Sequence, residues 1–250
     1  MSAGAKPRRA NGEGFSAWWW LAMPIAVALV LAVVDLSWPE FYKVYIGSEL
    51  GLLEGSHVLI PLAAMVIAIR ILMLRETRRH PWLVAWVALG AAACLYIAGE
   101  EASWGQHYVG WSTPERWQEI NDQQETNLHN VSSWLDQKPR LVLELGVIIG
   151  GIIIPIAALF RPALRQVRFA VILPPLLCLP VAVLAEVIRL TERVPGLIGT
   201  QPILYERPSE LQELYFYLFI LFYLIVLRQR LTAASQERMA ARAAPEFSAD

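Results

Sequence analysis

Glu125 and His129 stand four residues apart, and Glu100, Glu101 and His107 lie only a loop away. If residues 121–130 are helical, Glu125 and His129 share one face and both reach one metal ion. Asn127 and Asn130 then place amides beside them, and Gln106 adds a third. Such donors suit a divalent cation or an activated water, with the amides orienting a substrate or stabilising developing charge. Glu101, His107, Glu125 and His129 are therefore the candidate metal ligands, and Glu100, raised by its neighbouring carboxylate, a candidate general base. Glu54 and His57 add a Glu-x-x-His spacing that carboxylate-bridged metal pairs in helical bundles use twice, but the chain contains it once. No His-x-x-x-His or His-Glu-x-x-His occurs, which excludes a standard zinc-protease site.

The elements that must position these residues are membrane spans. Of the 250 residues 56% are apolar and 17% charged, with ten Trp, a composition shifted from soluble domains toward lipid. A spanning helix needs about 20 mainly apolar residues. Six segments qualify: 17–34, 57–74, 82–99, 141–160, 169–187 and 211–227. The expected fold is an all-α integral membrane bundle of six helices, with short helices in the polar segment 100–139 between the third and fourth. Residues 1–16 and 231–250 are terminal tails. The first segment lacks a small-x-small cleavage pattern after Val34 and reads as a retained helix. Pro174, Pro175 and Pro180 should kink the fifth span, and Ser209 with Gln212 makes a capping-box pattern opening the sixth. Cys94 and Cys178 fall inside spans as small packing residues.

Charge sets the expected orientation. Fourteen of the 21 basic residues but only five of the 22 acidic ones fall on one side of these spans. By the positive-inside rule that side, with both termini, is cytoplasmic, and residues 100–139 face outward across a bacterial inner membrane. Acids then gather near the outward ends of five spans: Glu54, Glu100 with Glu101, Glu144, Glu186, and Glu210 with Glu213. At helix N-termini the macrodipole accounts for Glu54, Glu144, Glu210 and Glu213 without any function. Glu100 and Glu101 close a helix, where the dipole opposes negative charge, so they require a compensating cation, hydrogen bonds or a metal. Trp104, Trp111, Trp117 and Trp134 suit an interfacial belt or a floor under a lipid headgroup.

The strings Glu100-Glu101-Ala102-Ser103-Trp104-Gly105-Gln106 and Glu125-Thr126-Asn127-Leu128-His129-Asn130 resemble a signature of bacterial multi-pass membrane proteins of unknown activity. The resemblance implies a shared site within residues 100–130 and brings no reaction with it. Ceramidase-like membrane hydrolases differ, since the chain lacks their paired-histidine helix. The residues themselves support a membrane enzyme, a hydrolase or transferase on a lipid or lipid-linked substrate, with a divalent metal as its candidate cofactor. The alternatives are an ion-coupled transporter, which should bind near the midplane, and a non-enzymatic assembly or scaffold protein. No phosphate-binding loop and no nucleic-acid motif is present.

Overall fold

The computed structural model describes residues 16–48, 51–121, 123–128, 131–201, 204–205 and 207–243. Most of these residues are helical, with no strand among them. Among the described residues six helices are long and apolar enough to cross a membrane: α1 Trp18–Ser37, α2 Leu52–Leu72, α3 Pro81–Glu101, α4 Gln137–Phe160, α5 Ala170–Leu197 and α6 Pro208–Ala241. The protein is a multi-pass membrane bundle, with short helices at Gln106–Val109 and Glu115–Ile120 between α3 and α4.

The helices outrun the apolar windows that reveal them, because polar residues are tolerated at their ends once neighbouring helices supply partners. Glu54 and His57 lie in the first turns of α2, and Glu100 and Glu101 in the last turn of α3. Pro81 starts α3 after the extended His80, as the fixed φ of proline allows. Lys138 and Pro139 lie inside a helix that runs Ser133–Val147. Arg140 helps anchor that extension, donating to the Ser209 carbonyl at 2.7 Å and pairing with Glu213 at 3.2 Å. Glu186, expected at the end of the fifth span, is well inside the continuous helix Leu179–Leu197.

α6 is the central helix. Leu211, Tyr215, Phe216, Phe219 and Phe222 pack with Cys178, Val181, Ala182 and Ala185 of α5 in one core cluster. Farther along, Leu224, Leu227 and Leu231 meet Ala64 and Ala68 of α2 and Leu83, Val87 and Cys94 of α3. Between apolar helices in lipid, close packing rather than water exclusion supplies the attraction, and small residues allow it. Gly151 shows how tight the contact is: a Cβ there would lie 2.4 Å from the Ala182 Cβ and 2.8 Å from the Phe219 ring. Leu29, Leu59, Leu89 and Val142 stay exposed on outer surfaces, as lipid-facing residues do.

Proline breaks α5 rather than merely kinking it. The chain makes 3-10 turns at Ala170–Ile172 and Leu176–Cys178, with an irregular stretch at Pro174 and Pro175 between them. Carbonyls freed by such a break need partners away from water. Arg230 of α6 supplies them, donating to the carbonyls of Val171 (3.1 Å) and Leu173 (2.7 Å). The expected capping box does not form. Gln212 is fully buried, and neither its amide nitrogen nor its oxygen has a hydrogen-bond partner among the described residues.

Candidate functional site

The polar residues collect at the end of the bundle where α2, α4 and α6 begin and α3 ends. A cavity of about 880 Å³ opens there. Its polar lining includes Glu54, Glu101, His107, Glu125, Glu210 and Glu213; Tyr96, Ile97, Val142 and Leu143 form an apolar wall from α3 and α4. Those two helices have different chief neighbours, α2 for α3 and α5 and α6 for α4, so the wall spans a gap between them. Six carboxylates line the cavity, together with the side chains of Lys138, Arg140 and Arg207. The polar residues form two clusters.

The first belongs to the segment after α3. Ser103 and Trp104 have φ values of 44° and 55°, and Gly105 follows at 105°, so the chain leaves the helix through three left-handed residues. For Ser and Trp that conformation costs about 1–3 kcal/mol each and requires surrounding bonds to hold it. Those bonds are present. The Trp104 indole N–H donates to Glu100 Oε1 at 2.7 Å, and the Leu128 N–H donates to Glu100 Oε2 at 2.6 Å. Gly99 leaves room for the indole, since a Cβ there would come within 2.8 Å of the ring. Gln106 donates to Thr113 Oγ1 at 2.6 Å and accepts from the Thr126 N–H at 2.8 Å, clamping the far part of the loop.

At the centre of this cluster, buried Ser103 donates to Glu125 Oε2 at 2.6 Å. Asn127 donates to Ser103 Oγ (2.9 Å) and to Glu125 Oε2 (2.7 Å), and Asn121 in turn donates to Asn127 Oδ1 (2.9 Å). His107 Nε2 lies 2.8 Å from Glu125 Oε1 and 3.1 Å from Ser103 Oγ. The Ser103 proton is committed to Glu125, so His107 carries its own proton on Nε2 and donates it to the carboxylate. A histidine serving a nucleophilic serine would have to accept at that nitrogen. The cluster is thus a mutually satisfied network that fixes the loop. Burial acts to raise the Glu125 carboxyl, but hydrogen bonds from Ser103, His107 and Asn127, with the His107 charge, hold it below the ordinary carboxylate range.

The second cluster lies between helices. His57 is fully buried, 3.4 Å from Glu101 Oε2 and 3.8 Å from Glu210 Oε2 through Nδ1. The Tyr217 hydroxyl donates to Glu101 Oε1 at 2.9 Å, and its ring meets His57 edge-on at 5.3 Å. Arg207 pairs with Glu210 at 2.9 Å and reaches Glu54 at 3.9 Å. Neither ring nitrogen of His57 has a hydrogen-bond partner among the described residues.

Sequence and structure divide the candidates differently. Glu101, His107 and Glu125 line one cavity, but the Glu101 carboxylate turns to His57 and Tyr217, while His107 and Glu125 turn to Ser103. Residues 123–128 carry no helix, so Glu125 does not present the helical face on which a shared ligand spacing depends. Its backbone is shaped instead by Asn121, whose Oδ1 accepts the Gln123 and Glu125 N–H groups at 3.0 and 3.1 Å. His129 and Asn130 lie outside the described residues. Of the acids on five helices, Glu54, Glu101, Glu210 and Glu213 converge. Glu144 pairs elsewhere, with Arg193 at 2.6 Å, and Glu186 neighbours both.

Ser103, Asn121, Tyr217, Arg140 and Arg207 hold the site together, yet only long-range contacts single them out. The Glu210-x-x-Glu213 spacing one turn from Tyr217 was the signal in the sequence for the α6 face. Set against known protein families, curated proteins and solved structures, the chain has no match.

Proposed function

We propose that this protein is a membrane-embedded enzyme, a hydrolase or transferase acting on a lipid or lipid-linked substrate at the cavity between α3, α4 and α6. The observation that carries this reading is the cavity's two-sided lining: an apolar wall beside a cluster of carboxylates, two of which the buried His57 imidazole approaches at 3.4 and 3.8 Å. A pocket of about 880 Å³ suits an amphiphile whose polar part meets the acids while its chain lies along Ile97, Val142 and Leu143. Glu101, oriented by Tyr217, is the carboxylate through which the site engages and activates a water or substrate hydroxyl. Glu100 has both oxygens engaged by Trp104 and Leu128, and it acts as an anchor for the loop rather than as the base. Gln106, Asn127, His107 and Glu125 position that loop beside the substrate.

The charge asymmetry supports a bacterial inner membrane with the cavity on its outer side and both termini in the cytoplasm. The strings around Glu100 and Glu125 support grouping the protein with the bacterial multi-pass family they resemble. A carrier reading draws on the same negative cavity. Against it, the lining on α6 reaches only from Ser209 to Tyr217, and beyond it Phe219, Phe222, Leu224 and Val226 are packed core.

The test is direct. Purified protein in nanodiscs, incubated with a polar lipid extract and a divalent cation, should convert one lipid class to a new species detectable by mass spectrometry. Glu101→Gln should abolish the conversion in a monodisperse sample. No conversion of any lipid class, together with gradient-driven solute uptake in proteoliposomes, would replace the enzyme with a carrier.

A further inference from the structure

His57, beside the cavity's carboxylates, sits in surroundings that leave it chemically incomplete. It is fully buried, and neither ring nitrogen makes a hydrogen bond among the described residues. Buried polar groups are ordinarily paired, so an imidazole in this position points to a ligand. Its Nδ1 lies 3.4 Å from Glu101 Oε2 and 3.8 Å from Glu210 Oε2. Two donors each about 2.1 Å from a shared ion lie about 3.0–3.4 Å apart, so the first separation suits two ligands of one ion. Glu54 and Glu101 with His57 form one set of donors within 4.8 Å of one another, and Glu210 and Glu213 with His57 form a second. The two sets share the His57 imidazole, whose Nδ1 approaches a carboxylate from each.

We propose that a single divalent first-row cation binds at His57, with Glu54, Glu101 and Glu210 as carboxylate ligands and Glu213 beside them. Carboxylates outnumber the cationic side chains in the cavity lining, and a divalent ion offsets the excess negative charge. One imidazole among several carboxylates suits Mn(II), Fe(II) or Zn(II); Ca(II) prefers an all-oxygen shell. Tyr217, donating to Glu101, is the outer partner that fixes a ligand's orientation. The inference deepens the enzyme reading by naming its cofactor and rests on it only for what the ion does once bound.

Chelator-stripped protein in detergent, equilibrated with Mn(II) or Zn(II), should retain one ion per chain by elemental mass spectrometry. His57→Gln and Glu101→Gln should weaken binding at least tenfold, and Glu76→Gln, at the other end of the bundle, should leave it unchanged. Should the buried variants misfold, wild-type protein still decides: pulsed EPR of bound Mn(II) should show coupling to an imidazole nitrogen. No stoichiometric ion, bound Mn(II) without nitrogen coupling, or a loss confined to Glu125→Gln would each overturn the centre. Metal binding without lipid conversion keeps the centre and removes the enzyme; lipid conversion in metal-free protein does the reverse.

Discussion

The two clusters beside the cavity use the same residue types to opposite ends. Around Ser103, a carboxylate, a histidine, a hydroxyl and amides satisfy one another within 2.6–3.1 Å. Around His57, carboxylates and an imidazole approach at 3.4 and 3.8 Å without a hydrogen bond to the ring. The first arrangement holds a strained chain in place. The second is held in place by helices and keeps bonding capacity in reserve. A completed polar network rigidifies, whereas an incomplete one destabilises the fold and persists where something else completes it.

Removing a member of the completed network should therefore cost most. Asn127→Ala deprives Ser103, Glu125 and Asn121 of partners, and about 1–3 kcal/mol for each buried group left unsatisfied is expected. Thermal unfolding in detergent should show it as a marked drop in Tm. Next in size, Gly99→Val drives a side chain into the Trp104 ring; overpacking of about 1–3 kcal/mol should appear with faster hydrogen exchange across residues 103–128.

A smaller effect depends on pH. Glu125 has a lower pKa folded than its ordinary value of about 4.3. Its contribution to stability is present above that value and disappears as pH falls through the folded pKa. Exchange protection of residues 103–128 should fade across that acid window in the wild type, and Glu125→Gln should flatten the dependence. The sharpest contrast comes from the smallest shift. In metal-stripped protein His57→Gln, which keeps a polar group beside Glu101 and Glu210, should shift Tm little, while Asn127→Leu lowers it. Equal losses from both would erase the distinction between the clusters.

The legibility of the site follows the range of the forces involved. Glu100 and Glu101 stood out because a helix C-terminus repels adjacent carboxylates, and the structure answers that repulsion with Trp104, Leu128 and Tyr217. Glu54 and Glu210 looked like ordinary N-terminal acids, since the dipole explains each alone. Their meeting at His57 depends on α2, α3 and α6 packing side by side, which the order of spans along the chain leaves open. The helix expected at Glu125 is absent from residues 123–128 for a local reason: Asn121 captures the N–H groups of residues 123 and 125, and the chain turns there.

By itself the sequence determined that this chain crosses a membrane six times as helices, because lipid leaves backbone groups no other partners and about 20 apolar residues are needed for each crossing. Tertiary structure alone decided which acids share a cavity and which pair elsewhere. Side-chain convergence from separate helices is set by packing at Ala64, Ala68 and Gly151 and by bonds such as Arg140 to Ser209, contacts that no spacing along the chain encodes.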